Sequence, residues 1–307
     1  GTLDAGVDHT NRGEGDVQGT VFGVSNGAPV PNAVAAPERK LTRVSSSSTA
    51  QSLLGFRGSE DLGGGYRAGF QLEGTLVPDT GTLGNDDRMF GRVAVVSVTT
   101  PYHALRFGRQ GPPMLVAYSL ATTERLGTTD LMGAGLVVNN LQSRWDNMIG
   151  YWARTGSWLV IAGVSPNAGV ANRISAARAP AANATTGQIL GGKTAGNETP
   201  EHQGLAHAAM VSYSSEGLVL TGGYHYNKFN AQIGLASATA FVPLFNAQSY
   251  RGGLVGAKYT ISDWGTTIGA NFHIGNFEEE GNVDPEVRSI AFGVRHTFGL
   301  VSVLAQA

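Results

Sequence analysis

Along residues 53–74 the chain alternates strictly between apolar and polar positions. Leu54, Phe56, Tyr66, Ala68, Phe70 and Leu72 share one face; Gly55, Arg57, Arg67, Gly69, Gln71 and Glu73 share the other. Period two on two consecutive arms predicts an antiparallel hairpin. Its connection is predicted over residues 59–65, which carry Glu60, Asp61 and three consecutive glycines. The pattern recurs in residues 92–98 with 104–109, 145–153 with 158–164, 207–213 with 218–226, and 254–261 with 266–272. Each pair flanks a short polar turn.

Between these hairpins lie longer segments of different composition, residues 11–50, 111–143, 166–203 and 230–247. Such lengths are unusual in a compact soluble domain. Short turns on one rim and long loops on the other are the expected asymmetry of a transmembrane β-barrel. The stretch around residues 114–126 is the best helix candidate, a short helix inside a loop. No uninterrupted apolar run approaches the ~18 residues of a membrane helix, whereas a barrel strand needs only ~10 of alternating polarity. The start, Gly1-Thr2-Leu3, has no basic and apolar leader pattern, so an export signal is expected to have been removed. Tyr66, Phe107, Trp145, Tyr151, Trp152, Trp158, Tyr250, Trp264 and other aromatics fall near predicted strand ends. They are expected to form interface girdles, although aromatics favour strands generally.

Composition narrows the picture. Charged residues make up 14% of the chain, against a usual ~25%, and there are 44 glycines. A net charge of −2 indicates no nucleic-acid partner. The absence of cysteine removes disulfides, thiolate chemistry and Cys-based metal sites, and is compatible with an oxidising envelope compartment.

Five blocks in order carry a family resemblance: GTLDAGVDH at the start, GFRGSEDLGGGYRAGFQLEG from Gly55, LRFGRQ from Leu105, SRWDN from Ser143 and AFGVRHTF ending at Phe298. Together they resemble the trimeric general porins of Gram-negative β-proteobacteria. That resemblance implies an all-β, antiparallel transmembrane barrel of about sixteen strands, of which about twelve are readable here. It implies one barrel domain over residues 1–307, short periplasmic turns, long extracellular loops and a third loop folded into the pore. It also implies a homotrimer in the outer membrane, in contact with lipid and lipopolysaccharide, passing small hydrophilic solutes and ions without catalysis. Residues 111–143 correspond to the third loop, whose acids are Glu124 and Asp130. Facing them, the matching positions of the family's arginine ladder are Arg57, Arg92 and Arg144. Leu53 stands where the family carries a further arginine. Phase adds Arg67, Gln71, Glu73 and Asp146 to the lumen face, and places Trp145, Ile149 and Tyr151 outward. Charges facing each other across a narrow wet gap favour polar solutes and bias ions by sign. Solvated lumen arginines paired with nearby carboxylates are the plainer reading of the same residues.

Family chains stop at the closing Phe, whereas residues 299–307 continue here. They are expected to form a short strand beside or in line with residues 2–7.

Other chemistry is weaker. Gly23-Val24-Ser25-Asn26-Gly27 fits the G-x-S-x-G pattern, but Pro29 and Pro31 fall where its helix should run. Ser25 also resembles the serine of the outer-membrane phospholipase, a barrel enzyme, but the His of that motif is Gly23 here. Among the histidines, only His202 and His207 stand close in sequence, and none forms an H-E-x-x-H motif, so no metal site is predicted. Glu278, Glu279 and Glu280 with Asp284 and Glu286 could bind Ca²⁺ at an exposed loop, or simply keep the rim hydrated; no other cofactor is expected. A substrate-selective channel, an outer-membrane enzyme and a soluble all-β binding protein remain the alternatives to a diffusion channel.

Overall fold

The computed structural model describes residues 1–12, 17–25, 28–35, 39–46, 51–123, 144–168, 173–175, 204–236, 241–279, 286–299 and 301–306. In chain order come β1 (Ala5–Arg12), β2 (Val17–Ser25), β3 (Ala28–Ala35), β4 (Arg39–Ser46), β5 (Leu53–Gly63), β6 (Tyr66–Val77) and β7 (Thr82–Leu83). After the one-turn helix α1 (Gly84–Asp87) follow β8 (Val93–Thr99), β9 (His103–Gln110) and helix α2 (Pro113–Ala121). Then come β10 (Trp145–Thr155), β11 (Trp158–Ser165), β12 (Arg173–Ser175), β13 (Ala206–Ser215), β14 (Leu218–Ala236) and β15 (Phe241–Ile261). The chain ends with β16 (Thr266–Glu279), β17 (Glu286–Phe298) and β18 (Val301–Gln306).

A 14-stranded sheet dominates, running in order from β5 through β6, β8, β9, β10, β11 and β13 to β18, with β7 and β12 off the path. Neighbours on the path are antiparallel, so each strand between β6 and β17 pairs its backbone on both sides without water, as a membrane requires. Thr2 extends the sheet beyond β5, exchanging two backbone hydrogen bonds of 2.9 and 2.8 Å with Leu53. β1 pairs with β4, and β2 with β3. Most of the short turns lie on one rim. At the β5–β6 turn, Gly63, Gly64 and Gly65 all have positive φ, which side-chain-bearing residues rarely adopt.

Several expectations change. The first turn is shorter than predicted, because pairing continues past Ser59 to Gly63 through a bulge after Asp61. Residues 230–247 are largely the outer arms of β14 and β15, and residues 11–50 contain β2, β3 and β4. Composition hid them, since strands beyond the lipid need no apolar face. The tail is a strand, as expected, but its partner is β17, from Phe298 opposite Val301 to Gly293 opposite Gln306; no pairing with residues 2–7 occurs among the described residues.

Alternation assigns the two faces. Leu54, Phe56, Phe70, Val96, Leu105, Phe107, Val255 and Phe272 are exposed outward, where an aqueous sheet would leave them unburied at a cost. Tyr66, Tyr102, Trp158, Tyr259, Trp264 and Phe298 are exposed near the short-turn rim, as an aromatic girdle requires.

Inside, the two halves of the wall differ. On β11, β13 and β15 the inward positions include Ile161, Met210 and Leu254, all at most 2% exposed. Helix α2 lies on this apolar strip, burying Met114, Ala117, Tyr118 and Ala121 completely against β13, β14, β15 and β16. Two glycines let it approach. A Cβ on Gly223 would lie 2.8 Å from Met114 Sδ, and one on Gly256 would lie 2.6 Å from Ala121 Cβ. The first part of the third loop, through residue 123, thus folds inward, and its predicted helix ends at Ala121, earlier than residue 126.

Trp145, Trp152 and Tyr250 depart from the girdle prediction. Trp145 is 1% exposed inside, beside Met148, because Asn147 has φ 52° and the β9–β10 register shifts between Trp145 and Met148. That irregularity reverses the phase that had placed Trp145 outward; Ile149 and Tyr151, beyond it, do face out. Trp152 and Tyr250 occupy inward positions.

Phe70→Arg is expected to cost ~2–4 kcal/mol at mid-membrane; unchanged barrel assembly into bilayers would invert the face assignment. Gly256→Val is expected to destabilise the α2 seat by ~1–3 kcal/mol through overpacking, read as an earlier thermal transition in detergent.

Candidate functional site: an arginine-lined inner wall

Away from the apolar strip, the inner face of β5, β6, β8 and β9 carries many polar side chains, among them Arg57, Gln71, Glu73, Ser97 and Arg106. Alternation in β9 puts Leu105 and Phe107 outward and Arg106 inward. The Arg106 guanidinium lies 5.4 Å from the Trp152 ring centroid and donates to Gln71 Oε1 at 3.1 Å. Gln71 in turn donates to Glu73 Oε1 at 2.5 Å, and Arg92 Nε donates to Glu73 Oε2 at 3.0 Å. Arg92 also bonds Gln51 through Nη1. These contacts form one continuous run of polar groups across the wall.

A second cluster centres on Asp146. Arg88 Nη1 donates to both of its carboxylate oxygens, at 3.0 and 2.9 Å, and Arg109 Nη1 donates to Oδ1 at 2.6 Å. Arg109 Nε is held by the Gly91 carbonyl at 2.6 Å. All three side chains are largely shielded, at 22%, 15% and 14% exposure for Arg88, Arg109 and Asp146. Strict alternation would set Arg109 outward with Phe107. Gly108 breaks it: its φ is 121°, and a Cβ there would strike the Ala94 carbonyl oxygen.

Arg144 sits in the coil just before β10. Burial, then the like charges of Arg92 and Arg109, push its guanidinium below its ordinary value, while Glu73 acts the other way. Arginine stays protonated under such pressure.

Of the predicted constriction residues, Arg92 and Arg144 come together with Glu73 and Asp146. Arg57, opposite Gln71 in register, shares a concavity of about 530 Å³ with Gln71, Arg106 and Trp152. Arg67 lies instead at the short-turn end, exposed and 3.9 Å from Asp61. Glu124 and Asp130 fall outside the described residues. Arg88, Arg106 and Arg109 were missed. Period two with Leu105 and Phe107 could have found Arg106, a glycine inside a strand was the signal for Arg109, and Arg88 carries no signal. The Ser25 motif lies at the end of β2, with Ala28 opposite it in β3, so no helix follows; Asn26 and Gly27 are outside the described residues. In the acidic stretch, Glu278 accepts from Ser249 Oγ at 2.6 Å and Glu286 pairs with Arg288. Glu280 and Asp284 lie outside the described residues, and no metal-binding group occurs among the described ones.

The sequence matches the Gram-negative porin family model over residues 1–306. The chain belongs to the Gram-negative porin family. This porin is accordingly an outer-membrane protein of a Gram-negative cell. It is 34% identical over 143 residues to outer membrane porin protein 32 of Delftia acidovorans, covering 43% of this chain and 39% of that protein. It is also 34% identical over 106 residues to an outer membrane porin protein of Bordetella pertussis, covering 32% and 26%. These aligned segments therefore span well under half of either relative. In fold, the porin resembles an anion-selective porin from Comamonas acidovorans, with a TM-score of 0.62 and 19% identity over 99% of this chain and 76% of that one. OmpT of Vibrio cholerae in its trimer form gives a TM-score of 0.58 at 15% identity, over 99% and 76%.

Asp146→Asn is expected to leave Arg88 and Arg109 facing each other uncompensated, lowering stability by ~3 kcal/mol. Heat-induced loss of β-structure in detergent measures it; an unchanged transition would mean the grip contributes nothing.

Proposed function

We propose that this porin is a water-filled channel for passive diffusion of small hydrophilic solutes and ions, working as a homotrimer in contact with outer-membrane lipid and lipopolysaccharide, and favouring anions. The observation that carries this reading is the excess of guanidinium over carboxylate on the inner wall. Among the described residues of that wall, Arg57, Arg88, Arg92, Arg106, Arg109 and Arg144 outnumber Glu73 and Asp146. Within a narrow wet passage such a surplus attracts anions and raises the barrier for cations. Glu124 and Asp130, on the segment after α2, supply the acidic side of the constriction. The transverse field between the two sides then favours solutes that exchange water for wall hydrogen bonds. A trimer fits the trimeric form of the Vibrio cholerae relative in fold.

A substrate-selective channel is the second reading, and the concavity between Arg57, Gln71, Arg106 and Trp152 favours it. A planar anionic solute could meet guanidinium and aromatic ring together. Saturating flux for such a solute would support that reading, and linear conductance would favour diffusion.

The deciding measurement is a planar-bilayer recording in a salt gradient. Triplet conductance steps with a reversal potential of anionic sign are expected. Arg144→Glu is expected to move that potential towards cations; an unchanged value would remove Arg144 from the constriction.

A further inference from the structure

The seat of α2 contains two histidines that diffusion does not require. His225 on β14 and His273 on β16 are 1% and 0% exposed, and their Nε2 atoms lie 3.2 Å apart in a hydrogen bond. One neutral imidazole donates and the other accepts. β15 runs between them and contributes Gly252, where a Cβ would sit 2.9 Å from each Nε2. Only a residue without a side chain lets the two rings meet across that strand.

The surroundings hold no counter-charge. From β15, Tyr250 stacks on His273 with ring centroids 6.3 Å apart and tilts over His225 at 5.3 Å. From α2, Tyr118 stacks on His273 at 6.3 Å. β13 presents Ala208 opposite His225, β17 presents Ser289 opposite His273, and Asn227 lies two residues along β14. The titratable groups facing the pair are thus the phenols of Tyr118 and Tyr250; among the described residues no carboxylate faces it. β15 carries two cations: Arg251, exposed on the face opposite Tyr250 and Gly252, and Lys258, further along towards the short-turn rim.

A first added proton makes a buried cation without a counter-ion, and a second sets like charges against each other at hydrogen-bond distance. Hydration relieves both, and on the α2 side it is Tyr118, stacked on His273, that covers the pair. We propose that His225 and His273 form an acid-sensitive seat for α2, so that proton uptake by the pair unseats the helix and narrows the passage. The helix rests on the β13–β16 wall, so the space open to it is the passage in front of the arginine wall. The effect on conductance rests on the channel reading above; the displacement of α2 does not.

The test compares the full-length chain with its His225→Gln and His273→Gln variants. Single-channel conductance is recorded near pH 7.5 and in steps down to near pH 3, well below the ordinary histidine range. Because the chain lacks cysteine, Ser119→Cys in each background carries a spin label on α2. In the unaltered background, acid is expected to lower conductance about twofold or more and to mobilise the label, and both glutamine variants are expected to show neither change. An acid-insensitive label, or variants that respond like the parent, would overturn the proposal. If the glutamine variants fail to assemble, the label in the histidine-containing chain decides alone. A label that responds in a chain without channel activity would keep the seat and sink the channel reading instead.

Discussion

The contact between α2 and the inner faces of β13–β16 organises the interior. A barrel wall need not be apolar inside, yet Ile161, Met210 and Leu254 are, and α2 covers that strip with Met114, Ala117, Tyr118 and Ala121. Leaving the strip wet would expose apolar surface on both sides of a hydrated cavity. Docking the loop removes it from water on one side and leaves the opposite wall, with its arginines, as the wet one. The asymmetry of the interior is therefore a consequence of hydrophobic burial, and the electrostatics follow from what burial leaves uncovered.

Much of this was legible in the sequence. The hairpins on residues 145–164 and 207–226, and the outward face of Leu54, Phe56 and Phe70, follow from period two alone, because lipid on one side and water on the other impose it on every strand. The inner wall was harder to read. Ile161 and Met210 look like further strand apolars until a helix is known to lie on them, and no local pattern announces that helix's partner.

Two departures on the inner wall share one cause. Trp145 was placed outward by extending alternation through Asn147, where the β9–β10 ladder slips, and Arg109 was missed because Gly108 breaks the alternation of β9. Both irregularities lie on the arginine-lined inner wall, where bulges re-aim side chains. Outer strand arms such as those of β14 and β15 were missed for another reason: beyond the membrane, backbone pairing continues without any demand on side-chain polarity.

The guanidiniums on the wet wall are anchored at defined points: Arg106 by Trp152 and Gln71, Arg92 by Glu73, Arg109 by Asp146 and the Gly91 carbonyl. Unanchored arginines would spread their charge over many positions. Anchored ones hold it at fixed points, so the field on this wall is set by the fold rather than by side-chain motion. At ~0.15 M salt a charge is felt over ~8 Å, enough for neighbouring anchored guanidiniums to merge into one continuous field along the pore.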